Sequence, residues 1–116
     1  MVAEDDDDVR EMLTNLLGEA GYNVCAVRHG AEAVKALETG VRPRAIVLDL
    51  AMPVMSGWNF WDWLQVSAFA DVPIIIFTAS GLSQGAFGQV RVVQKGRSPQ
   101  ELLDALQAAV YSPPRG

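Results

Sequence analysis

Two nearly unbroken apolar runs constrain this chain more than anything else in it: RAIVLDL at residues 44–50 and VPIIIF at 72–77. Neither alternates with polar residues and both are rich in β-branched side chains, so each reads as a strand covered on both faces. A half-exposed strand would show a period of two instead. Helical patterns surround them. Val9, Met12, Leu13, Leu16, Leu17 and Ala20 fall on one helix face, with Asp8 as the expected N-cap and Gly21 as the stop. GAEAVKALETG forms a second helix closed by Gly40, and WNFWDWLQVSAF a third. SPQELLDALQAAV carries a full start signature: Ser98 at the N-cap, Pro99 in the first turn and Glu101 to close a capping box. MVA, YNVCAVR and QVRVVQ supply the remaining strands. Strands alternating with helices at this spacing predict βαβ crossovers and a parallel sheet with helices on both sides.

A chain of 116 residues is long enough for one ordinary core, and half of its residues are hydrophobic, which excludes a disordered polymer. Nine Lys and Arg against fourteen Asp and Glu give a net charge of −5, so direct nucleic-acid binding is not expected. The lone cysteine, Cys25, permits no intrachain disulfide. No run approaches the ~20 apolar residues that span a bilayer, and the start turns acidic at Glu4 instead of building a signal peptide. The expectation is a soluble, cytoplasmic protein with no membrane partner. MVA is short for a buried strand, as in a chain lacking upstream residues, and SPPRG reads as a linker or tail. The domain is therefore placed at 1–111 and the tail at 112–116.

In an open parallel sheet, ligands bind beyond the carboxyl ends of the strands. Here the first strand runs into Glu4 and Asp5, the third into Asp49, the fourth into Thr78 and Ala79, and the fifth into Lys95. Three carboxylates crowded on one rim repel unless a hard cation neutralises them, and Mg²⁺ suits oxygen ligands. A carboxylate beside Mg²⁺ can attack a phosphoryl group and form an aspartyl phosphate. The metal, an ammonium and a hydroxyl would then hold the phosphoryl oxygens. Ala79 leaves room for the incoming group. Asp6 and Asp7 are expected to face solvent or lie behind the metal ligands.

EDDDDVREML, VLDLAMPVMSG, IIIFTAS and VVQKG, taken in order, resemble the response-regulator receiver family of two-component signalling over essentially the whole chain. The resemblance implies a flavodoxin-like (CheY-like) α/β fold, a doubly wound five-stranded parallel sheet of order 2-1-3-4-5. It implies Asp49 as phosphoacceptor. Glu4, Asp5, Asp49 and the Ala51 backbone carbonyl would hold Mg²⁺ (Mn²⁺ as a substitute), and Thr78 and Lys95 would contact the phosphoryl group. The donor would be a histidine kinase or histidine phosphotransfer protein, and the readout an effector domain, a downstream protein or a homodimer. Ala51 and Ser80 resemble positions that tune phosphoryl lifetime. Such a protein catalyses only its own phosphorylation and dephosphorylation.

Three departures stand out. Gly96 follows Lys95 where receivers usually carry Pro, so no cis bond is expected. Val92 replaces a switching aromatic. GLSQGAFG, residues 81–88, offers little helical pattern, so the fourth helix is expected to be short or degenerate. Val92 and Gly96 favour an alternative, a pseudo-receiver serving as an unphosphorylated interaction module; the complete acid, Asp, Thr and Lys set opposes it. A haloacid-dehalogenase phosphatase needs an acid at Ala51, and a flavin phosphate would be repelled by the carboxylates. His29 and Cys25 receive no catalytic role. Trp58, Phe60, Trp61 and Trp63 cannot share one helix face, so at least one is expected to meet solvent or a partner.

Overall fold

A computed structural model describes residues 1–52, 55–79, 90–96 and 98–111. The order is β1 (Val2–Ala3), α1 (Asp7–Glu19), β2 (Ala26–Val27), α2 (Gly30–Glu38), β3 (Ile46–Leu48), α3 (Gly57–Gln65), β4 (Ile74–Thr78), β5 (Arg91–Gln94) and α4 (Pro99–Tyr111). All neighbouring strands pair in parallel, in the order β2-β1-β3-β4-β5. The expected topology is the observed one. Residues 80–89, where a short or degenerate helix was expected, lie outside the described residues, as does the tail at 112–116.

The apolar runs lack alternation because the sheet is buried on both faces. Ile46, Leu48, Ile74 and Ile76 point to one side, where they meet Ala33 and Leu37 of α2 and Phe60 and Leu64 of α3. Val47, Ile75 and Phe77 point to the other, against Leu13 and Leu17 of α1 and Leu102, Ala105 and Leu106 of α4. Burial of a residue of this size contributes about 1.5–3 kcal/mol, so these strands anchor the rim that follows them. Phe60 is fully buried whereas Trp58 is 48% exposed, as the crowding of aromatics on α3 requires.

One helix start is corrected. Asp6, not Asp8, caps α1: its backbone is extended and its side chain accepts from the Val9 amide at 3.0 Å. β1 ends at Ala3, and the connector is so short that helical geometry begins at Asp7. Asp7 and Asp8 then lie in the first turn, where negative charge meets the positive end of the helix dipole. Ser98 precedes α4 as expected, its hydroxyl accepting from the Gln100 amide at 3.2 Å. Gly96 has φ 86, a conformation closed to proline, so the Lys-Gly pair reflects a genuinely different backbone; the described residues contain no cis peptide bond.

Candidate functional site

Sheet hydrogen bonds fix each acid on the rim. The Glu4 amide donates to Val27 O at 3.0 Å, and the Asp49 amide to Ala3 O at 3.0 Å. Across β4, the Lys95 amide donates to Thr78 O at 2.8 Å, which sets Lys95 at the end of β5. Five of the six predicted site residues thus sit where strand ends place them, and Ala51 follows in the β3–α3 loop. Glu4, Asp49 and Thr78 are the buried polar or charged residues among those described, with Glu4 1% and Asp49 3% exposed. Asp5 and Ala51 are exposed. Ser80 lies outside the described residues.

One oxygen from each of Glu4, Asp5 and Asp49 can be chosen so that all lie within 4.8 Å of one another. Lys95 Nζ stands over them, donating to Glu4 Oε1 at 3.0 Å and lying 2.8 Å from Glu4 Oε2 and 3.4 Å from Asp49 Oδ2. Asp49 Oδ1 accepts from the Ala51 amide at 3.2 Å, and Glu4 Oε1 from the Asp6 amide at 3.3 Å. Glu4 Oε2 is buried and accepts no hydrogen bond despite the nearby ammonium. Three carboxylates sharing one lysine, with a buried Glu4 oxygen that is ion-paired but accepts no hydrogen bond, are what a hard divalent cation would satisfy, so the donor set fits Mg²⁺.

The electrostatics follow. Burial pushes the Glu4 carboxyl above its ordinary value, and the Lys95 hydrogen bond offsets only part of that. Burial likewise raises Asp49, with the Ala51 amide and Lys95 pulling the other way. Burial opposes the charge on Lys95, but Glu4 and Asp49 together hold its proton more firmly than usual. The cluster holds excess negative charge that one lysine does not neutralise.

Two glycines press the β3–α3 loop into place. A Cβ on Gly57 would fall 2.3 Å from Asp49 O and 2.5 Å from Leu50 Cα. One on Gly30 would fall 2.7 Å from Met55 O, to which the Gly30 amide donates at 3.0 Å. Sequence reasoning gave neither a role and overlooked His29, which caps α2 through Nδ1 on the Glu32 amide at 3.2 Å. The signal was present: His-Gly-Ala-Glu has the spacing of a capping box, with histidine at an unaccustomed cap.

Comparison with known proteins agrees with this geometry. Residues 1–107 match the response regulator receiver domain family. Protein Rrf1 of Nitratidesulfovibrio vulgaris is 30% identical, over all of this chain and 85% of its own length. The DNA-binding response regulator MtrA of Mycolicibacterium smegmatis is 32% identical over 93% of this chain, which spans only 48% of that relative. The receiver domain of a Pseudomonas aeruginosa sensor histidine kinase was solved with a magnesium ion coordinated in its active-site cleft. It superposes with TM-score 0.86 at 29% identity, covering 96% of this chain and 95% of its own. A parallel 2-1-3-4-5 sheet, an acid cluster at its carboxyl rim and a family match across nearly the whole length lead to one assignment: the chain belongs to the response regulator receiver domains of two-component systems.

Proposed function

We propose that Asp49 accepts a phosphoryl group from the phosphohistidine of a histidine kinase or histidine phosphotransfer protein, in a reaction requiring Mg²⁺. The observation that carries this reading is the convergence of Glu4, Asp5 and Asp49 oxygens within 4.8 Å under the Lys95 ammonium. Glu4, Asp5, Asp49 and the Ala51 carbonyl would hold the ion, with Mn²⁺ as a substitute. When bound, its charge would neutralise the carboxylates and draw electron density from the phosphoryl oxygens.

An Asp49 carboxylate oxygen attacks phosphorus while the P–N bond breaks. The electron pair stays on the departing imidazole, which takes a proton from solvent. Lys95, already 3.4 Å from Asp49 Oδ2, turns from the bare carboxylate to a phosphoryl oxygen. Thr78, at the adjacent strand end, donates its hydroxyl to another. The chain acts on no external substrate beyond this transfer and its hydrolytic reversal. Pairing with a histidine kinase would place it in the cytoplasm, and among the described residues no helix is long and apolar enough to cross a membrane. An effector domain or a separate protein would read the phosphorylated state.

The test is incubation with Mg²⁺ and acetyl phosphate followed by intact-mass measurement. A single phosphoryl adduct is expected, abolished by EDTA and by Asp49→Asn. No adduct, or one that persists in Asp49→Asn, overturns the assignment.

A further inference from the structure

The His29–Gly30 corner stands out because a titratable side chain holds a helix start that is itself fastened to the site's loop. His29 is extended, and its Nδ1 accepts from the Glu32 amide. That bond requires a neutral imidazole with its proton on Nε2. One residue on, the Gly30 amide donates to Met55 O, and the absent Cβ allows backbone-to-backbone approach that no side chain would permit. Met55 belongs to the loop running from Asp49 and Ala51 to α3, and Gly57 closes its far end with a hydrogen bond from its amide to Leu50 O at 3.0 Å.

We propose that His29 is a positioning residue for this loop and that its protonation loosens the hold of α2 on Met55, making the site's geometry sensitive to pH. The inference rests on the reading of Asp49 and Ala51 given above. Protonation places a hydrogen on Nδ1 against the Glu32 N–H, so the cap is lost, and adds positive charge at the positive end of the helix dipole. Histidine changes charge between about pH 5 and 8, the range in which this matters. The charged groups around the corner are few. Arg28 precedes it and is paired with Glu32 at 3.0 Å, Glu32 lies on α2 itself, and Asp7 of α1 acts on Arg28. Asp5 extends from the neighbouring end of β1. Met55, packed on Gly30, and the described loop residues Ala51, Met52 and Ser56 carry no ionisable side chain. Released from the cap, a protonated ring would turn toward the Glu32 carboxylate, already ionised by Arg28.

The test compares wild type with His29→Asn, a cap that does not titrate, and His29→Ala, which has no cap. Amide exchange at Glu32 and Gly30 is measured at pH 8 and pH 5.5, with calorimetric Mg²⁺ titration at both. Wild type should match His29→Asn at pH 8 and approach His29→Ala at pH 5.5, with Glu32 protection about fivefold below the Asn variant, as loss of a helix cap implies. The ratio of wild-type to His29→Asn Mg²⁺ affinity cancels the carboxylates' own titration, and it should fall severalfold over the same interval. Equal Glu32 protection in wild type and His29→Asn at both pH values overturns the proposal. So does a Glu32 response with an unchanged affinity ratio, which leaves His29 a cap without influence on the loop. If His29→Asn binds Mg²⁺ at pH 8 but gains no phosphoryl group, the phosphoacceptor reading fails while the His29 measurements stand.

Discussion

Replacing Gly57 by alanine tests how closely the acid site depends on packing around it. The new Cβ would lie 2.3 Å from Asp49 O, 2.5 Å from Leu50 Cα and 2.9 Å from Asp49 C, where ordinary contact begins near 3.4 Å. All three are backbone atoms, so no side-chain rotation relieves the clash, and α3 or the β3 end must move by about 1 Å. Overpacking of this kind costs about 1–3 kcal/mol. Losing the bond from the Gly57 amide to Leu50 O adds roughly 1 kcal/mol. Alanine's helix preference returns up to about 1 kcal/mol, which offsets the lost bond and leaves a net loss of about 1–3 kcal/mol. For a domain of this size, that lowers Tm by about 10 °C. Because the displaced atoms belong to Asp49 itself, phosphorylation by acetyl phosphate should fall by about a hundredfold, the order expected for a 1 Å misplacement. Gly18→Ala is the control: Gly18 lies in α1 with nothing within 4 Å of its Cβ position, so that variant should gain about 0.5–1 kcal/mol. Thermal melts by circular dichroism give the stabilities and intact mass gives the rate. A Gly57→Ala protein melting within about 2 °C of wild type, with normal phosphorylation, refutes the argument.

Asp6→Ala should lose about 1 kcal/mol of stability through the α1 cap, whereas Asp8→Ala should stay within about 0.5 kcal/mol; equal losses by urea denaturation would contradict the cap assignment. Lys95→Met removes the ammonium 2.8 Å from buried Glu4, and because Lys95 is partly exposed the loss should be about 2 kcal/mol, below that of a fully buried pair. Adding Glu4→Gln to that variant should recover much of it, and simple additivity of the two losses would argue against the pair. Asp49 is held above its ordinary value, so the native chain takes up this proton before the unfolded one as pH falls, and metal-free stability gains from it as pH falls through that raised value toward the ordinary 3.8. Asp49→Asn should therefore melt a few degrees above wild type without Mg²⁺ on the alkaline side of that raised value, with the gap closing as pH falls toward the ordinary 3.8; Mg²⁺ should raise wild-type Tm more as pH rises and the carboxylates ionise. The contribution of Lys95 has the opposite placement, present below its ordinary value of 10.5 and lost as pH rises through its raised native value.

The fold and five strand-end residues were legible because both depend on short-range pattern. A run such as VPIIIF declares a strand covered on both faces, and the residue that follows a parallel strand must sit on the rim. Relations set by three-dimensional approach were less visible. Nothing local in the sequence reveals that Gly30 and Gly57 face carbonyl oxygens, since a glycine beside a helix start usually signals only a turn. Asp6 and Asp8 are equally good caps by composition, and the length of the connector after Ala3 decided between them. His29 was passed over because histidine is a rare cap, although Glu32 stood at the reciprocal spacing. Glu4 and Asp5, grouped from the sequence with Asp49, do bring their oxygens together with it, while Asp6 has a firm structural task.

The acid run therefore divides by depth. Glu4, the most buried, has one oxygen satisfied by Lys95 and the Asp6 amide and one left without a hydrogen bond. Asp5 meets solvent, Asp6 caps α1, and Asp7 and Asp8 line the first turn. Among the described carboxylates of the cluster, Glu4 and Asp49 carry the main cost of burial, and for both that cost raises the proton affinity. A chain selected for stability alone would replace them with neutral groups. Two buried, under-neutralised carboxylates around a single lysine store unfavourable charge that a divalent cation would relieve, so affinity for an ion and instability without it would have the same source. The same lysine lies closer to Glu4 than to Asp49, at 2.8 Å against 3.4 Å, so under the proposed function an ion held at Glu4 would compete with Lys95 and free it for a phosphoryl group on Asp49. On that reading, the spacing of three side chains would couple ion binding to the position of Lys95 even with Val92 where the resemblance leads one to expect a switching aromatic.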